Sequence, residues 1–177
     1  MEYTLDKVKK TYDALKGDFG WTNKMQAPRI TKVIISTGVG KINSDKRKMS
    51  IIPERLATIT GQKPAVRPAK KSIATFKVRE GQLSGFQVTL RGKRMYDFLD
   101  KLLNVALPRT RDFRGINSKL DEMGNYTLGI PENTIFPETA DEDLKDVFGM
   151  SVNVVMTSKN KKESKAFLDH LGFPFKK

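Results

Sequence analysis

The segment 61–94 combines two properties that restrict what this chain can fold into. It holds nine lysine and arginine residues against the single acid Glu80, so +8 of the chain's net charge of +13 lies within it. Apolar and polar residues also alternate there, first over 74–79 and again over 86–91. Alternation with a period of two is typical of strands that bury one face. The segment therefore predicts a long basic hairpin with its turn at 80–82.

The outer face of this hairpin would carry lysine, arginine, threonine and glutamine side chains. These groups bond phosphate, ribose and base edges, and concentrated positive charge attracts phosphate. The alternative is an ordinary amphipathic hairpin whose outer face is only solvated. An outer face that is almost purely cationic, rather than mixed in sign, favours RNA binding over that alternative.

The overall composition excludes several classes of chemistry. The 177 residues include no cysteine, which removes disulfides, thiolate nucleophiles and zinc–thiolate sites, and the single His170 leaves little for imidazole chemistry. We expect no cofactor. No apolar run is long enough to span a membrane and no signal-peptide core is present, so we expect a cytoplasmic protein. Basic residues on a hairpin, rather than on an amphipathic helix, argue against membrane binding.

The pattern of elements predicts a single α+β domain over 1–177. The order is helix, strand, helix, two strands, helix, two strands, helix, which favours an antiparallel sheet with helices packed on one face. The N-terminal helix, ended by Gly17, and a connector occupy 1–29, and the hairpin loop protrudes at 71–82. Asn160 and Glu163 resemble a capping pair for the last helix. The predicted helical core positions are Leu5, Val8, Tyr12, Leu15, Met49, Ile52, Leu56, Ile59, Met95, Phe98, Leu99, Leu102, Ala106, Ala166, Phe167 and Leu171.

A Gly-x-Gly-Lys sequence, 38–41, follows the predicted strand at 30–35. It fails the Walker pattern, because position 35 is not glycine and position 42 is not serine or threonine, so nucleotide hydrolysis is excluded here. Exposed backbone N–H groups and Lys41 could still hold an RNA phosphate. The alternative is a tight turn that simply needs glycine.

Two charged segments leave alternatives open. Arg109, Arg111 and Arg114 surround Phe113, an arrangement that can grip phosphate and stack on a base, or can brace a loop by pairing with Asp112. After Pro137 the charge of the chain changes from mainly positive to mainly negative. Such carboxylates could bind a divalent metal for a nucleic-acid-processing enzyme, but a solvated or protein-docking face is favoured because the spacing fits no calcium loop. The acids are Glu138, Asp141, Glu142, Asp143 and Asp146.

Eight motifs in a fixed order give the chain a family resemblance. They are Gly-Val-Gly at 38–40, ITGQKP at 59–64, AKKSIA at 69–74, FKVREG at 76–81, VTLRG at 88–92, PRTRDFRG at 108–115, GNYTLGI at 124–130 and IFPE at 135–138. Together they closely resemble the bacterial large-subunit ribosomal protein L5 family. The resemblance extends over 26–175. Ser36 and Thr37 depart from it, since the family usually has Asn-Met there, as do residues 120–123 before the GNYTLGI motif.

The resemblance implies a non-enzymatic α+β protein that anchors 5S rRNA in the central protuberance of the large subunit. It implies three partners besides the large-subunit rRNA: 5S rRNA, P-site tRNA and a protein of the small-subunit head that completes an intersubunit bridge. We expect the free protein to be a monomer. The implied 5S contacts are Ser36, Gly38, Gly40, Lys41, Gln62, Lys63, Thr89 and Arg91. The implied tRNA contacts are Lys71, Lys77, Arg79 and Gln82, and the bridge candidates are Arg109, Arg111, Arg114, Asp141 and Glu142.

Overall fold

The computed structural model describes residues 3–40, 46–111, 113–140, 147–158 and 160–176. Within these ranges, helices and strands follow one another in the order that the sequence predicts. They are α1 (Thr4–Phe19), β1 (Ile30–Gly38), α2 (Lys46–Thr60), β2 (Ala65–Pro68), β3 (Leu83–Leu90), α3 (Gly92–Lys101), β4 (Tyr126–Ile130), β5 (Met150–Met156) and α4 (Lys161–Leu171). A π-helical turn, Leu102–Ala106, directly follows α3.

The five strands form an antiparallel sheet in the order β2-β3-β1-β5-β4. β2 pairs with β3 so that Ala65 lies opposite Gln87 and Arg67 lies opposite Gly85. Buried residues alternate with more accessible ones along β3, β4 and β5, so each of these strands covers a core with one face. The predicted α+β fold with an antiparallel sheet is confirmed.

The chain divides into two compact units, each of which has its own helices. Unit 1 comprises Met1–Val33, Leu90–Leu128 and Asn153–Lys177, and it contains α1, α3 and α4. Unit 2 comprises Ile34–Thr89 and Gly129–Val152, and it contains α2, β2 and nearly all of β3.

In unit 1, hydrogen bonds of Thr4 and Lys7 hold α1 against two other helices. The backbone N–H and the hydroxyl of Thr4 donate to Oδ1 of Asp100 at 2.7 and 2.6 Å, so a carboxylate from α3 caps the N-terminus of α1. Lys7 Nζ donates to the carbonyl oxygen of Leu171 at 2.9 Å, and Nε2 of His170 lies 3.0 Å from the carbonyl oxygen of Lys7. These contacts join α1 to α3 and to α4.

Two expectations for the helices of unit 1 are wrong. α1 does not end at Gly17 but continues to Phe19, because Gly20 is the residue that adopts the left-handed conformation (φ 64°) and donates its N–H to the Lys16 carbonyl. Leu5 is exposed while Thr4 is buried, since the bonds to Asp100 set which face of α1 points inward.

The expected capping pair of α4 is also wrong. Asn160 occupies the N-cap position, but its side chain makes no capping hydrogen bond. The Ser158 hydroxyl accepts the Asn160 N–H at 3.3 Å and lies 3.3 Å from Oε2 of Glu163, so Glu163 is paired with Ser158 instead of with Asn160. Phe167 and Leu171 are buried as predicted, whereas Ala166 is only half-buried.

In unit 2, α2 buries Ile52, Leu56 and Ile59 of the predicted stripe, while its fourth member, Met49, is half-buried. The segment after β4 is held by Asn133, which is fully buried. Its Oδ1 accepts the Phe148 N–H at 3.1 Å, and its carbonyl oxygen accepts the Thr139 hydroxyl at 2.7 Å. The helical turn Pro137–Thr139 that this bond fixes packs against α2.

The strand expected over 74–79 is wrong. Residues Ala74–Phe76 form a 3-10 helix, and Lys77 follows with a left-handed φ of 52°. A residue in that conformation turns the chain, so an extended strand cannot continue through it. The strand that pairs with β3 is instead β2, and residues 69–82 connect the two; we call this segment the β2–β3 loop.

Candidate nucleic-acid interface

One face of the sheet in unit 2 is polar and accessible. Along β3, Phe86 and Val88 are buried. Gln87 and Thr89, which alternate with them, lie on the opposite face and are only half-buried. Along β1, residues 35 and 37 are buried, whereas Ser36 is half-buried and Gly38 is exposed. We call this side of unit 2 the open face. It includes Ser36, Gly38, Arg67, Gln87, Thr89 and Ser151.

Polar side chains form a row across four strands of the open face. Nε of Arg67 on β2 donates to Oε1 of Gln87 on β3 at 2.5 Å. On β1 and β5, the hydroxyl oxygens of Ser36 and Ser151 lie 2.8 Å apart. Since arginine has five N–H donors and the bond to Gln87 uses one, the row presents charged donors together with hydroxyl groups.

The middle of this row follows from the approach of β1 to β3. A Cβ on Gly85 would stand 2.5 Å from the Thr37 carbonyl oxygen and 3.4 Å from Cα of Gly38, so Gly85 is required by the fold. Gln87 comes two residues after Gly85 on β3, and Ser36 comes two residues before Gly38 on β1. Because the strands are antiparallel, these two residues lie next to each other on the same face of the sheet. The Arg67–Gln87 pair and the serine pair are therefore neighbours.

Gly38 and Gly40 differ from Gly85 because no contact among the described residues requires glycine at either position. Both are exposed, neither has a left-handed φ, and a Cβ built on either would meet no described atom within 4 Å. A turn that needs glycine for its backbone conformation would show a positive φ, so the structure gives that alternative no support. Glycine without an internal role leaves room for another molecule's backbone to approach closely.

The turn after α2 brings Gln62 to the end of β3. Gly61 (φ 66°) ends the helix, and Nε2 of Gln62 then donates to the Thr89 carbonyl oxygen at 3.3 Å. This bond leaves Oε1 of Gln62 as an acceptor beside the exposed Lys63. The structure thus joins Gln62 to Thr89, two of the residues singled out in the sequence.

Two other predicted 5S contacts are not joined to this group. Arg91 belongs to unit 1, where it is exposed at the N-cap of α3. Lys41 lies outside the described residues.

The β2–β3 loop is closed by backbone hydrogen bonds. Ala69 and Gln82 are joined at its base, where the Ala69 N–H donates to the Gln82 carbonyl at 2.8 Å, and Ile73 and Val78 exchange two bonds of 3.0 and 3.2 Å near its tip. Oε1 of Gln82 accepts the Arg79 N–H at 3.1 Å, which gives Gln82 a role within the loop. The other expected tRNA contacts, Lys71, Lys77 and Arg79, are exposed.

The expected bridge residues are described only in part. Arg109, Arg111 and Arg114 are exposed in unit 1, on the segment that follows the π-helical turn. Asp112, with which they were alternatively expected to pair, lies outside the described residues, as do Asp141, Glu142 and the other acids of 141–146. Among the residues that are described, no group of three metal-ligating side chains occurs and no helix is long and apolar enough to cross a membrane.

Comparison with known proteins gives consistent matches over nearly the whole chain. The model of the family "Ribosomal protein L5" matches residues 23–79, and that of the "ribosomal L5P family C-terminus" matches residues 84–175. The chain belongs to the ribosomal protein L5 family. A relative from Anaeromyxobacter sp. (strain K) is 46% identical over 176 residues, which cover 96% of this chain and 98% of the relative. One from Kosmotoga olearia is 45% identical over 183 residues, covering all of both chains. Both are named "Large ribosomal subunit protein uL5".

Membership of the L5 family decides between the functional classes left open by the sequence. Its members are ribosomal proteins, structural components rather than enzymes, so the metal-dependent enzyme suggested by the acidic segment is set aside.

The sequence places Gln87 on the outer face of the predicted hairpin, but it does not single out Arg67 or Ser151 as residues of the open face. Arg67 and Gln87 were visible as part of the basic segment, but only the register of β2 on β3 shows that they meet. Ser151 carries no signal in the sequence, because its partner Ser36 is 115 positions away.

Proposed function

We propose that this chain is a structural component of the large ribosomal subunit that binds 5S rRNA with the open face of unit 2. The observation that carries the proposal is the open face itself: a row of donors and hydroxyl groups beside two exposed glycines that meet no close contact among the described residues. Hydroxyl, amide and guanidinium groups are those that contact phosphate, ribose and base edges.

The open face suits a folded RNA strand in two ways. Gly38 and Gly40 leave its surface free of side chains, so a sugar–phosphate backbone can approach the peptide groups of β1. Lys63 and Arg67 supply charge at the β2 side, where phosphate binding releases counterions and makes affinity depend on salt.

The finer partners of the L5 family extend the proposal. Lys71, Lys77 and Arg79 on the β2–β3 loop contact the P-site tRNA, as their exposure and uniform charge support. Arg109, Arg111 and Arg114 contact a protein of the small-subunit head, together with Asp141 and Glu142. Arg91 adds a phosphate contact from α3.

Gly38→Val tests the 5S proposal with little risk to the fold. A Cβ at this position meets no described atom within 4 Å, and valine is favourable in a strand, so the melting temperature should stay unchanged. The valine would occupy the space into which the RNA is proposed to fit. The affinity for 5S rRNA should then fall at least about tenfold, because a loss of about 1.4 kcal/mol in binding free energy lowers affinity tenfold. Gly17→Ala in α1 is the matched control and should bind normally. Normal binding by Gly38→Val, measured by filter retention, would show that RNA does not approach this face.

A further inference from the structure

The β2–β3 loop exposes an aromatic ring that the fold does not use. Phe76 is 73% exposed, and among the described aromatic residues only Tyr3, at 65%, is comparably exposed. A phenyl ring left in water forgoes the stabilisation of burial, so its exposure in a loop that also exposes Ile73 (47%) indicates a partner.

The backbone holds Phe76 in a defined position. It is the last residue of the 3-10 helix Ala74–Phe76, and the Lys77 N–H closes that turn on the Ala74 carbonyl at 3.0 Å. The two hydrogen bonds between Ile73 and Val78 clamp the turn from both sides. Lys77 keeps a left-handed φ of 52° in spite of its side chain, and such strained conformations cluster at ligand-binding positions.

The charges around the ring identify the kind of partner. Lys70, Lys71, Lys77 and Arg79 are exposed in the same loop, against the single acid Glu80. An aromatic side chain surrounded by cations is the arrangement with which proteins stack on RNA bases while neutralising the adjacent phosphates. An apolar protein partner would have to accommodate all of these cations as well, so the charge favours RNA.

We propose that Phe76 stacks on an accessible base of a folded RNA. The inference rests on the proposed RNA-binding function. Under that function the base belongs to the tRNA that meets the β2–β3 loop, and 5S rRNA is the second possible source. Lys77 and Arg79 then bind the phosphates on either side of the stacked base.

A tryptophan reporter tests the stacking directly. The chain has a single tryptophan, Trp21, which stacks on Phe19 in unit 1 with ring centroids 5.4 Å apart. The double variant Trp21→Phe, Phe76→Trp moves the reporter to the loop. Titration with tRNA and separately with 5S rRNA should quench the fluorescence of the introduced tryptophan with the RNA that stacks, whereas Trp21 of the wild type stays unchanged.

Affinity measurements separate stacking from simple apolar contact. Phe76→Ala should weaken binding of the stacked RNA about 5- to 150-fold, as expected from base–aromatic stacking. Phe76→Tyr should retain the affinity, while Phe76→Leu, which is equally apolar but cannot stack, should lose it. A leucine variant that binds as the wild type, or binding of both RNAs without any quenching, would overturn the proposal.

The failure of stacking can be told apart from failure of the tRNA contact. If Lys77→Ala/Arg79→Ala loses tRNA while Phe76→Ala keeps it, the loop contacts tRNA without stacking. If the wild type shows no tRNA binding and only 5S rRNA quenches the reporter, the stacked base belongs to 5S rRNA and the tRNA contact is wrong. If neither RNA binds through the loop, both proposals fail.

Discussion

Replacing Arg67 and Gln87, singly and together, tests whether the open face holds a cation in position for an RNA phosphate. Arg67 Nε donates to Gln87 Oε1, so Gln87 orients the guanidinium while the remaining N–H groups can bond elsewhere. Arg67 is exposed and Gln87 half-buried. Because surface substitutions usually change stability by less than about 0.5 kcal/mol, effects on RNA affinity can be read without unfolding.

The expected magnitudes differ between the two residues. Arg67→Ala removes a charge-assisted hydrogen bond of about 1.5–3 kcal/mol, which weakens 5S binding about 10- to 150-fold. Gln87→Ala leaves the cation but frees it to rotate, at an ordering cost of about 0.5–1 kcal/mol, or about 2- to 5-fold. Since Gln87 acts through Arg67, the double variant should be no weaker than Arg67→Ala alone.

Fluorescence anisotropy of labelled 5S rRNA at several KCl concentrations gives both the affinity and its dependence on salt. Loss of one phosphate contact should reduce the slope of log affinity against log salt by about 0.7–0.9 for Arg67→Ala and leave it unchanged for Gln87→Ala. Lys165→Ala, which removes an exposed cation on α4, is the control and should bind 5S rRNA normally. Additive losses from Arg67 and Gln87, or an equal loss from Lys165→Ala, would refute the reasoning.

Three further predictions concern other parts of the chain. Lys77→Ala/Arg79→Ala should weaken tRNA binding but leave the 5S affinity nearly intact, as measured by parallel titrations; equal losses would refute this division. Asp100→Ala removes the cap of α1 and should lower the free energy of unfolding by about 0.5–2 kcal/mol in urea without changing 5S binding. Thr37→Val should raise stability by about 1 kcal/mol, because the buried Thr37 hydroxyl has no hydrogen-bond partner among the described residues.

The regular elements could be predicted because their periodicity is strong. The stripe of Ile52, Leu56 and Ile59 gave α2, and the alternation of Tyr126, Leu128 and Ile130 gave β4. Such patterns indicate which side of a helix or strand packs against a core, and in α2 and β4 the same side is buried along the element. The order of helices and strands and the antiparallel sheet followed from them.

The errors arose where a local pattern competes with backbone geometry or a distant contact. Phe76 and Val78 alternate with polar residues as in a strand, but Lys77 is left-handed and Phe76 is exposed. Gly17 and Gly20 can both adopt the left-handed conformation, and the helical pattern does not show that α1 ends at Gly20. Periodicity contains no information about which residue turns the chain.

The candidate interface was predictable in its residue types but not in its geometry. The glycines at 38 and 40 and the basic segment were visible in the sequence. The contact of Ser36 with Ser151 and that of Arg67 with Gln87 depend on strand order and register. The bond between Ser36 and Ser151 orients the Ser36 hydroxyl on the open face.

Alkylation of introduced cysteines tests the open face most directly, because the chain has no cysteine of its own. Ser36→Cys places a thiol on the open face, and Ser50→Cys places one on the exposed side of α2 as a control in the same unit. If the open face binds 5S rRNA, saturating 5S rRNA should slow maleimide labelling at position 36 at least about tenfold, an effect of about 1.4 kcal/mol, and leave position 50 unchanged. Unchanged labelling at position 36, with protection at position 50, would contradict the account.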